Sequence, residues 1–336
     1  MNDKAVALLE QYDIEVIRVR KGRGAFLCDT DKGVLIFKEY VGTEGRLALQ
    51  NHVQQHVEGK GSVKTDAIIP TKEGALFVKD KDGTRYILKT YFEGRECNIY
   101  EKEECLLAME LLAKLHNSMQ DVPPMEDAQC VPVDNVLQEY EKRNKELVRI
   151  RNFLRGKKQK QVFERELYRV MEPFLEQARS VTENWREYVQ ELHLTEEADT
   201  YYHGNYQYHN IIFYEDAWYV INFEKCQQGS QVRDVFLLLR KLLEKNDWQP
   251  DFGKELLEAY CKKRPLSAYE AIDLYYRLAY PEKFWKIVNF YYNTSKAWIP
   301  QRNLEKLMKV LEQEKNRQVF LEEMVEGIYF EKPKNQ

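Results

Sequence analysis

His203-Gly204-Asn205-Tyr206-Gln207-Tyr208-His209-Asn210 runs directly into Ile211-Ile212-Phe213-Tyr214, and Trp218-Tyr219-Val220-Ile221-Asn222-Phe223-Glu224 follows after Glu215-Asp216. Two short apolar runs on either side of an acidic turn predict a β-hairpin over 211–214 and 218–223. A loop of imidazole and amide side chains leads into it, and a carboxylate, Glu224, closes it. Outward from the hairpin the pattern is helical. Downstream, 231 to about 329 reads as helix punctuated by Pro250, Pro265, Pro281 and Pro300. Upstream lie two long charged amphipathic helices, about 134–155 and 161–190. The turn between them, Arg155-Gly156-Lys157-Lys158-Gln159-Lys160, reads as a solvated basic segment that can dock an acidic partner.

Further upstream, Leu106, Leu107, Met109, Leu111, Leu112, Leu115 and His116 give another helix a broad apolar face. A loop follows from Val122-Pro123-Pro124 to Pro132. Residues 15 to 92 have a different texture. Ile14, Val16 and Ile17 lead into Arg18–Arg20. The runs 25–28, 34–40, 75–79 and 85–91 follow, separated by turns at Gly22 and Gly24, Asp31-Lys32-Gly33, Glu73-Gly74 and Asp82-Gly83. This predicts an antiparallel sheet of hairpins, interrupted by one helix at about 44–57. The strands are bunched, which does not fit a doubly wound parallel sheet. The predicted fold is α+β and bilobal. A small antiparallel β-lobe, 1–92, carries one helix. A larger helical lobe, 93–336, contains the hairpin segment 203–224. That order of elements is the kinase one, in which ATP lies between the lobes.

Composition narrows the function. The chain has 336 residues, 43% hydrophobic and 32% charged, which is a folded and not a disordered composition. Its 51 Lys+Arg against 55 Asp+Glu leave a net charge of -4. Bulk attraction to nucleic acid or anionic lipid is therefore not expected. No apolar run approaches the roughly 18 residues of a membrane span. The N-terminus, with Asp3, Lys4 and Glu10, is not read as a secretory signal. The cysteines at 28, 97, 105, 130, 226 and 261 include no C-x-x-C pair and read as reduced thiols. His52 and His56 read as an exposed helix face rather than a zinc site.

Phosphoryl transfer needs a lysine on the nucleotide phosphates, groups that hold magnesium, and a carboxylate that takes the acceptor's proton. Lys38, in Val34-Leu35-Ile36-Phe37-Lys38, is the candidate phosphate lysine. Alternation points it with Ile36 to one face, and the plain alternative is a solvated strand lysine. The Gly22-x-Gly24 turn can lie over phosphates because glycine permits close backbone approach, or it is an ordinary turn. The helix after Lys38 offers Gln50, Gln54 and Gln55 in its middle, with Glu44 and Glu58 only at its ends. The lysine's partner is therefore left open.

The stretch 203–224 resembles the catalytic loop and metal segment of the aminoglycoside phosphotransferase and choline kinase-like group. That pattern reads H-G-D-x-x-x-x-N, a hairpin, then I-D-F-[DE], and the spacing here matches at every position. The resemblance implies ATP and Mg2+ as cofactors. It places His203 and Asn205 in the catalytic loop, with Asn205 where the general-base Asp stands. It places Asn210, Asn222 and Glu224 at the metal, and implies that Asp234 holds the loop backbone. Tyr91-Phe92-Glu93-Gly94-Arg95-Glu96 stands where a hinge would, so Tyr91 and Phe92 join Gly22, Gly24 and Lys38 as nucleotide-binding candidates.

Two departures bear on activity. Asn205 has no proton-accepting carboxylate, and losing a general base costs about 10²–10⁴-fold in rate. Asn222 offers magnesium only a neutral oxygen. Asn210 and Glu224 remain as ligands, so weak or metal-independent nucleotide binding stays open.

Further stretches narrow the resemblance. They are Leu112-Ala113-Lys114-Leu115-His116, Arg240–Lys245, Tyr280-Pro281-Glu282-Lys283-Phe284-Trp285-Lys286, Asn289–Asn293 and Lys296-Ala297-Trp298-Ile299-Pro300. Together they resemble the CotS-type spore coat proteins of endospore-forming Firmicutes over about residues 10 to 325. That resemblance implies synthesis in the mother-cell cytoplasm, a place in the spore coat, and other coat proteins as partners. The small-molecule acceptor stays unknown. Twenty-two tyrosines read as aromatic packing, with oxidative cross-linking in a coat as the other reading. Three functions follow: a structural coat protein with a degenerate kinase fold, an active ATP-dependent phosphotransferase on a small-molecule or protein hydroxyl, or an ATP-sensing module without turnover.

Overall fold

The structure, a computed structural model, describes residues 3–22, 24–125, 135–191, 200–293 and 300–326. β1 (Val16–Gly22), β2 (Ala25–Thr30) and β3 (Gly33–Glu39) pair as consecutive antiparallel hairpins. The first hairpin turns at Gly24, whose φ of 72° is one that glycine adopts without strain. α1 (Glu44–Lys60) opens on Thr43, whose hydroxyl accepts from the Arg46 N–H, and ends at Gly61 in the left-handed region. Next come β4 (Lys64–Thr65), β5 (Ile68–Ile69), β6 (Val78–Lys79), β7 (Arg85–Thr90), β8 (Arg95–Glu96) and α2 (Lys102–Met119). The main antiparallel sheet has the order β1-β2-β3-β7-β5, with β6 also on β7. The expected strand at 75–79 shrinks to Val78–Lys79. The two-residue strands β4, β5 and β8 are too short to leave a periodicity in sequence.

After α3 (Val136–Gly156) and α4 (Val162–Glu191), the chain continues through β9 (Tyr201–Tyr202), β10 (Ile211–Tyr214), β11 (Ala217–Val220) and β12 (Gln227–Gln228). The expected hairpin is β10–β11. It extends on one side to β8 and on the other to β4, which runs parallel to β11. The remaining elements are α5 (Val232–Lys245), α6 (Pro250–Cys261), α7 (Ala268–Ala279), α8 (Glu282–Asn293) and α9 (Pro300–Glu326). Pro250 and Pro300 open α6 and α9, and Pro281 stands just before α8. At the first turn of a helix proline's missing N–H costs nothing. The architecture is thus the predicted α+β one, an antiparallel sheet in the N-terminal part and helices in the C-terminal part.

The chain divides into two compact units. One comprises Met1–Val131, Glu197–Leu238 and Lys262–Arg264, the other Pro132–Glu196, Leu239–Cys261 and Pro265–Gln336. In the first, one face of the main sheet buries Phe26, Cys28, Leu35, Phe37, Tyr86 and Leu88 with Leu9 and Tyr12. Phe37 and Tyr86 stack at 5.3 Å. The alternate residues of β3, Ile36 and Lys38, face the other way. In the second unit α3, α4, α8 and α9 share a core that includes Phe163, Met171, Phe174, Phe284 and Leu307. Tyr140 stacks on Tyr280 at 3.9 Å and Phe174 on Phe284 at 4.2 Å. Trp285, Tyr291 and Tyr292 pack against this core, and Trp298 lies outside the described residues, as do Lys296, Ala297, Ile299 and Cys130. The basic turn at 155–160 is not wholly solvated. Lys157 Nζ donates to both carboxylate oxygens of buried Glu164, at 2.6 and 2.8 Å.

Candidate functional site

The loop at 203–210 is held from beneath. Asp234, fully buried in the first turn of α5, accepts the His203 N–H at 2.6 Å and the Gly204 N–H at 2.9 Å. His116 Nε2 lies 3.4 Å from the same carboxylate. Gly204 has φ 75°, and a Cβ built there would stand 2.1 Å from the Lys225 carbonyl oxygen. Only glycine fits. His203 is fully buried. Its Nδ1 accepts the Asn205 N–H at 3.1 Å and its Nε2 faces the Ile221 carbonyl at 3.1 Å. These partners assign a neutral ring protonated on Nε2. Burial pushes its pKa down. Both ring nitrogens are engaged, so His203 supports the loop from inside it.

The hairpin turn Glu215-Asp216 has both residues at positive φ, 46° and 58°, the twist that a two-residue hairpin loop requires. β11 then delivers Asn222, itself left-handed at φ 68°, a conformation asparagine tolerates better than most residues. Its backbone N–H donates to Asp66 Oδ2 at 3.0 Å. Its side-chain amide donates to Asn210 Oδ1 at 2.9 Å, and Asn210 Nδ2 donates to the Asn205 carbonyl at 2.8 Å. Asn205 Oδ1 accepts from Gln207 at 2.6 Å. The side chains of Asn222 and Asn210 thus form a relay that ends on the Asn205 backbone.

Beside it is a cluster of four charges. Lys38 Nζ lies 2.5 Å from Glu224 Oε1, so the lysine's partner comes from the hairpin segment and not from α1. Lys89, on β7, is 2% exposed in its side chain, with its Nζ 2.5 Å from Asp66 Oδ2 and 3.3 Å from Glu224 Oε1. It also donates to Asn222 Oδ1 at 3.2 Å. Burial alone would lower its pKa, but Asp66 and Glu224 outweigh burial and raise it. For Glu224 burial pulls upward, and Lys89 and Lys38 overcome it, bringing the carboxyl down to about 2. α1 contributes amides: Gln54 Nε2 donates to Asp66 Oδ1 at 2.6 Å, and Gln50 backs Gln54 at 3.1 Å. Arg46 Nε donates to the Glu224 carbonyl at 3.0 Å.

Lys89 and Asp66 were not candidates on sequence. The available signal was one charged residue on the same face as Ile87 inside Tyr86-Ile87-Leu88-Lys89. A lysine in the middle of an inner strand is buried only when paired.

A cavity of about 260 Å³ adjoins the cluster. Ile36, Ile212 and Ile221 give it apolar walls, Tyr91 and Phe92 border it, and Lys38, Lys89 and Asn222 line it on the charged side. Phe92 is fixed by stacking on Tyr219 at 4.0 Å. The candidates Lys38, Tyr91, Phe92 and Asn222 therefore meet at one cavity. Asn210 and Glu224 are one hydrogen bond removed from it. Asn205 and His203 are not among its described lining residues. Neither are Gly22 and Gly24, which sit at the β1–β2 turn.

Residues 6–324 match the model of the family described as "Spore coat putative kinase YutH". The chain belongs to this family. No curated protein matches its sequence. Among solved structures it is similar to an aminoglycoside phosphotransferase from Alicyclobacillus acidocaldarius subsp. acidocaldarius DSM 446. That likeness has TM-score 0.82 and 17% identity, over 96% of this chain and 95% of the other. It is also similar to a spectinomycin phosphotransferase solved with ADP and spectinomycin, at TM-score 0.65 and 12% identity, over 95% and 99% of the two chains. A third likeness is to an amicoumacin kinase in complex with AMP-PNP and Ca2+, at TM-score 0.60 and 10% identity over 95% and 94%. At these identities the likeness shows the fold, which is the kinase-like fold of the aminoglycoside phosphotransferases.

In this spore-coat family member the residues present do not fit the divalent cation that kinase chemistry uses. Of the metal candidates, Glu224 Oε1 lies 3.3 Å and Asn222 Oδ1 3.2 Å from Lys89 Nζ, whose third partner is Asp66 Oδ2. Asn210 Oδ1 is taken by Asn222. Among the described residues no group of three or more His, Cys, Asp or Glu is arranged to hold a metal ion. The cavity itself combines apolar walls with the ammonium of Lys38.

Proposed function

We propose that this spore-coat family member is a degenerate kinase, a pseudokinase whose role in the spore coat is structural or in assembly, with other coat proteins as its partners. It is made in the mother cell and ends in the coat. The observation that carries the reading is that amides stand at 205, 210 and 222: Asn222 donates to Asn210, Asn210 donates to the Asn205 backbone carbonyl, and the Asn205 side chain accepts from Gln207, where transfer needs a base and charged ligands. An amide cannot take the acceptor's proton, and His203 cannot replace it because its ring nitrogens are both engaged, Nδ1 by the Asn205 N–H and Nε2 by the Ile221 carbonyl. Fold alone does not confer activity.

The test is ADP release and phosphoryl transfer by the purified full chain with ATP and Mg2+, against Lys38→Ala and against the double variant Asn205→Asp, Asn222→Asp. The expected native rate equals that of Lys38→Ala. Turnover by the native chain that Lys38→Ala abolishes would sink the reading in favour of an active phosphotransferase. The coat role is tested separately by deleting the gene in its spore-forming host, where the expected result is a changed set of extractable coat proteins.

A further inference from the structure

We infer that the cavity beside Lys38 is a binding site for a metal-free nucleoside di- or triphosphate, and that the Lys89 ammonium stands in for a divalent cation. The inference rests on the degenerate-kinase reading. An ammonium has three N–H donors. Those of Lys89 are matched by three acceptors, Asp66 Oδ2 at 2.5 Å, Asn222 Oδ1 at 3.2 Å and Glu224 Oε1 at 3.3 Å. It thus has the ligand set of a cation site, built of two carboxylates and one amide and closed from water. A magnesium ion binds oxygen at about 2.0–2.1 Å and demands near-octahedral geometry. It cannot share Asp66 Oδ2 and Glu224 Oε1 with a nitrogen already 2.5 and 3.3 Å from them. Ammonium and metal exclude each other here.

The charge balance then changes what a phosphate meets. Without Lys89, the carboxylates of Asp66 and Glu224 outnumber the single charge of Lys38, and a polyphosphate is repelled until a metal enters. With Lys89 in place the two ammonium groups and two carboxylates of the cluster cancel and no metal is needed there; the cavity's other carboxylate, Glu96, is engaged by His209 Nδ1. Lys89 does not itself reach the ligand, because its donors are spent. Lys38 does: Glu224 is its one acceptor among the described residues, its side chain is 25% exposed, and it lines the cavity. Its remaining N–H donors are available to a phosphate, and Ile36, Ile212 and Ile221 are there for the base.

The experiment titrates the full chain with the fluorescent nucleotide mant-ADP in EDTA and in excess Mg2+, and with Mn2+ alone followed by loss of the free Mn2+ paramagnetic signal. Expected for the native chain are mant-ADP affinities within about two-fold in the two buffers, no Mn2+ uptake, and at least ten-fold weaker nucleotide binding in Lys38→Ala. Lys89→Met should lose at least ten-fold in EDTA, regain it with Mg2+ and take up Mn2+. If circular dichroism shows that Lys89→Met does not fold, Lys89→Gln is read in its place. Native binding that requires Mg2+, native Mn2+ uptake, absence of nucleotide binding in both buffers, or folded Lys89 variants as indifferent to metal as the native chain would each overturn the inference. Metal-dependent binding without transfer defeats this inference alone. Phosphoryl transfer defeats the degenerate-kinase reading and is scored in its own assay.

Discussion

Glu224→Gln tests whether the charge cluster is held together electrostatically. Glu224 bridges both lysines, and its carboxyl is lowered from the ordinary 4.5 to about 2. A depressed carboxylate stabilises the fold above its unfolded pKa, and that stability is lost as pH falls through the folded value. A shift of this size corresponds to about 3 kcal/mol at pH 7, is nearly undiminished at pH 5, and falls to less than half of that by pH 3. The glutamine variant is nearly isosteric and keeps one acceptor oxygen, so packing stays and only the charge goes. The expected result at pH 7 is a loss of about 3 kcal/mol, or about 4 °C in the unfolding midpoint of a chain this long. The gap between native and variant should close to less than half as the buffer is taken from pH 5 to pH 3. Thermal unfolding followed by circular dichroism at pH 3, 4, 5 and 7 reads both quantities. A constant gap across that range would mean that the loss comes from packing. A gap under about 1 kcal/mol at pH 7 would mean that Lys38 and Lys89 do not depend on Glu224. Either result would refute the electrostatic account of the site.

Three more predictions concern the scaffold. Asp234→Asn leaves one acceptor where two backbone N–H groups now converge, and hydrogen bonds to a charged group contribute about 1.5–3 kcal/mol each. It should cost about 2–4 kcal/mol, and an unchanged melting midpoint would mean that the loop does not need this anchor. Gly204→Ala and Gly24→Ala both place a side chain at positive φ, 75° and 72°, but only the first meets an obstacle, the Lys225 oxygen at 2.1 Å. The position 24 variant should therefore cost about 1–2 kcal/mol and the position 204 variant clearly more; equal losses by urea titration would contradict the packing argument. Among the described thiols Cys28, Cys97, Cys105 and Cys226 are buried and Cys261 half-buried. Burial raises the Cys28 thiol to about 11 and those of Cys97 and Cys105 to about 12. Mapping by mass spectrometry after a short thiol-reagent pulse should find Cys261 modified first of the five, and early labelling of Cys28 would speak against the sheet core.

The order of elements, the hairpin and the family pattern around it could be read from residues near one another in sequence. Period-two alternation fixes which face of β3 carries Lys38, and Gly204 next to His203 signals a tight loop whatever the rest of the chain does. Asn205 and Asn222 were visible as departures from the pattern, because a substitution of carboxylate by amide is a local fact. The charge cluster was not visible. Lys38, Asp66, Lys89 and Glu224 come from β3, the segment after β4, β7 and the end of the hairpin, and pairing across 186 residues leaves no periodicity to detect. α1 offers glutamines where a glutamate was sought, and only the fold shows that Gln54 serves Asp66 while Glu224 serves Lys38. The sequence alone pointed to the kinase-like fold of a spore-coat family and to asparagine at 205 and 222, where the pattern it resembles has aspartate. The tertiary structure decided what surrounds those two positions. A buried charge must be neutralised where it stands, and the nearest neutralising group is set by three-dimensional distance and not by position along the chain.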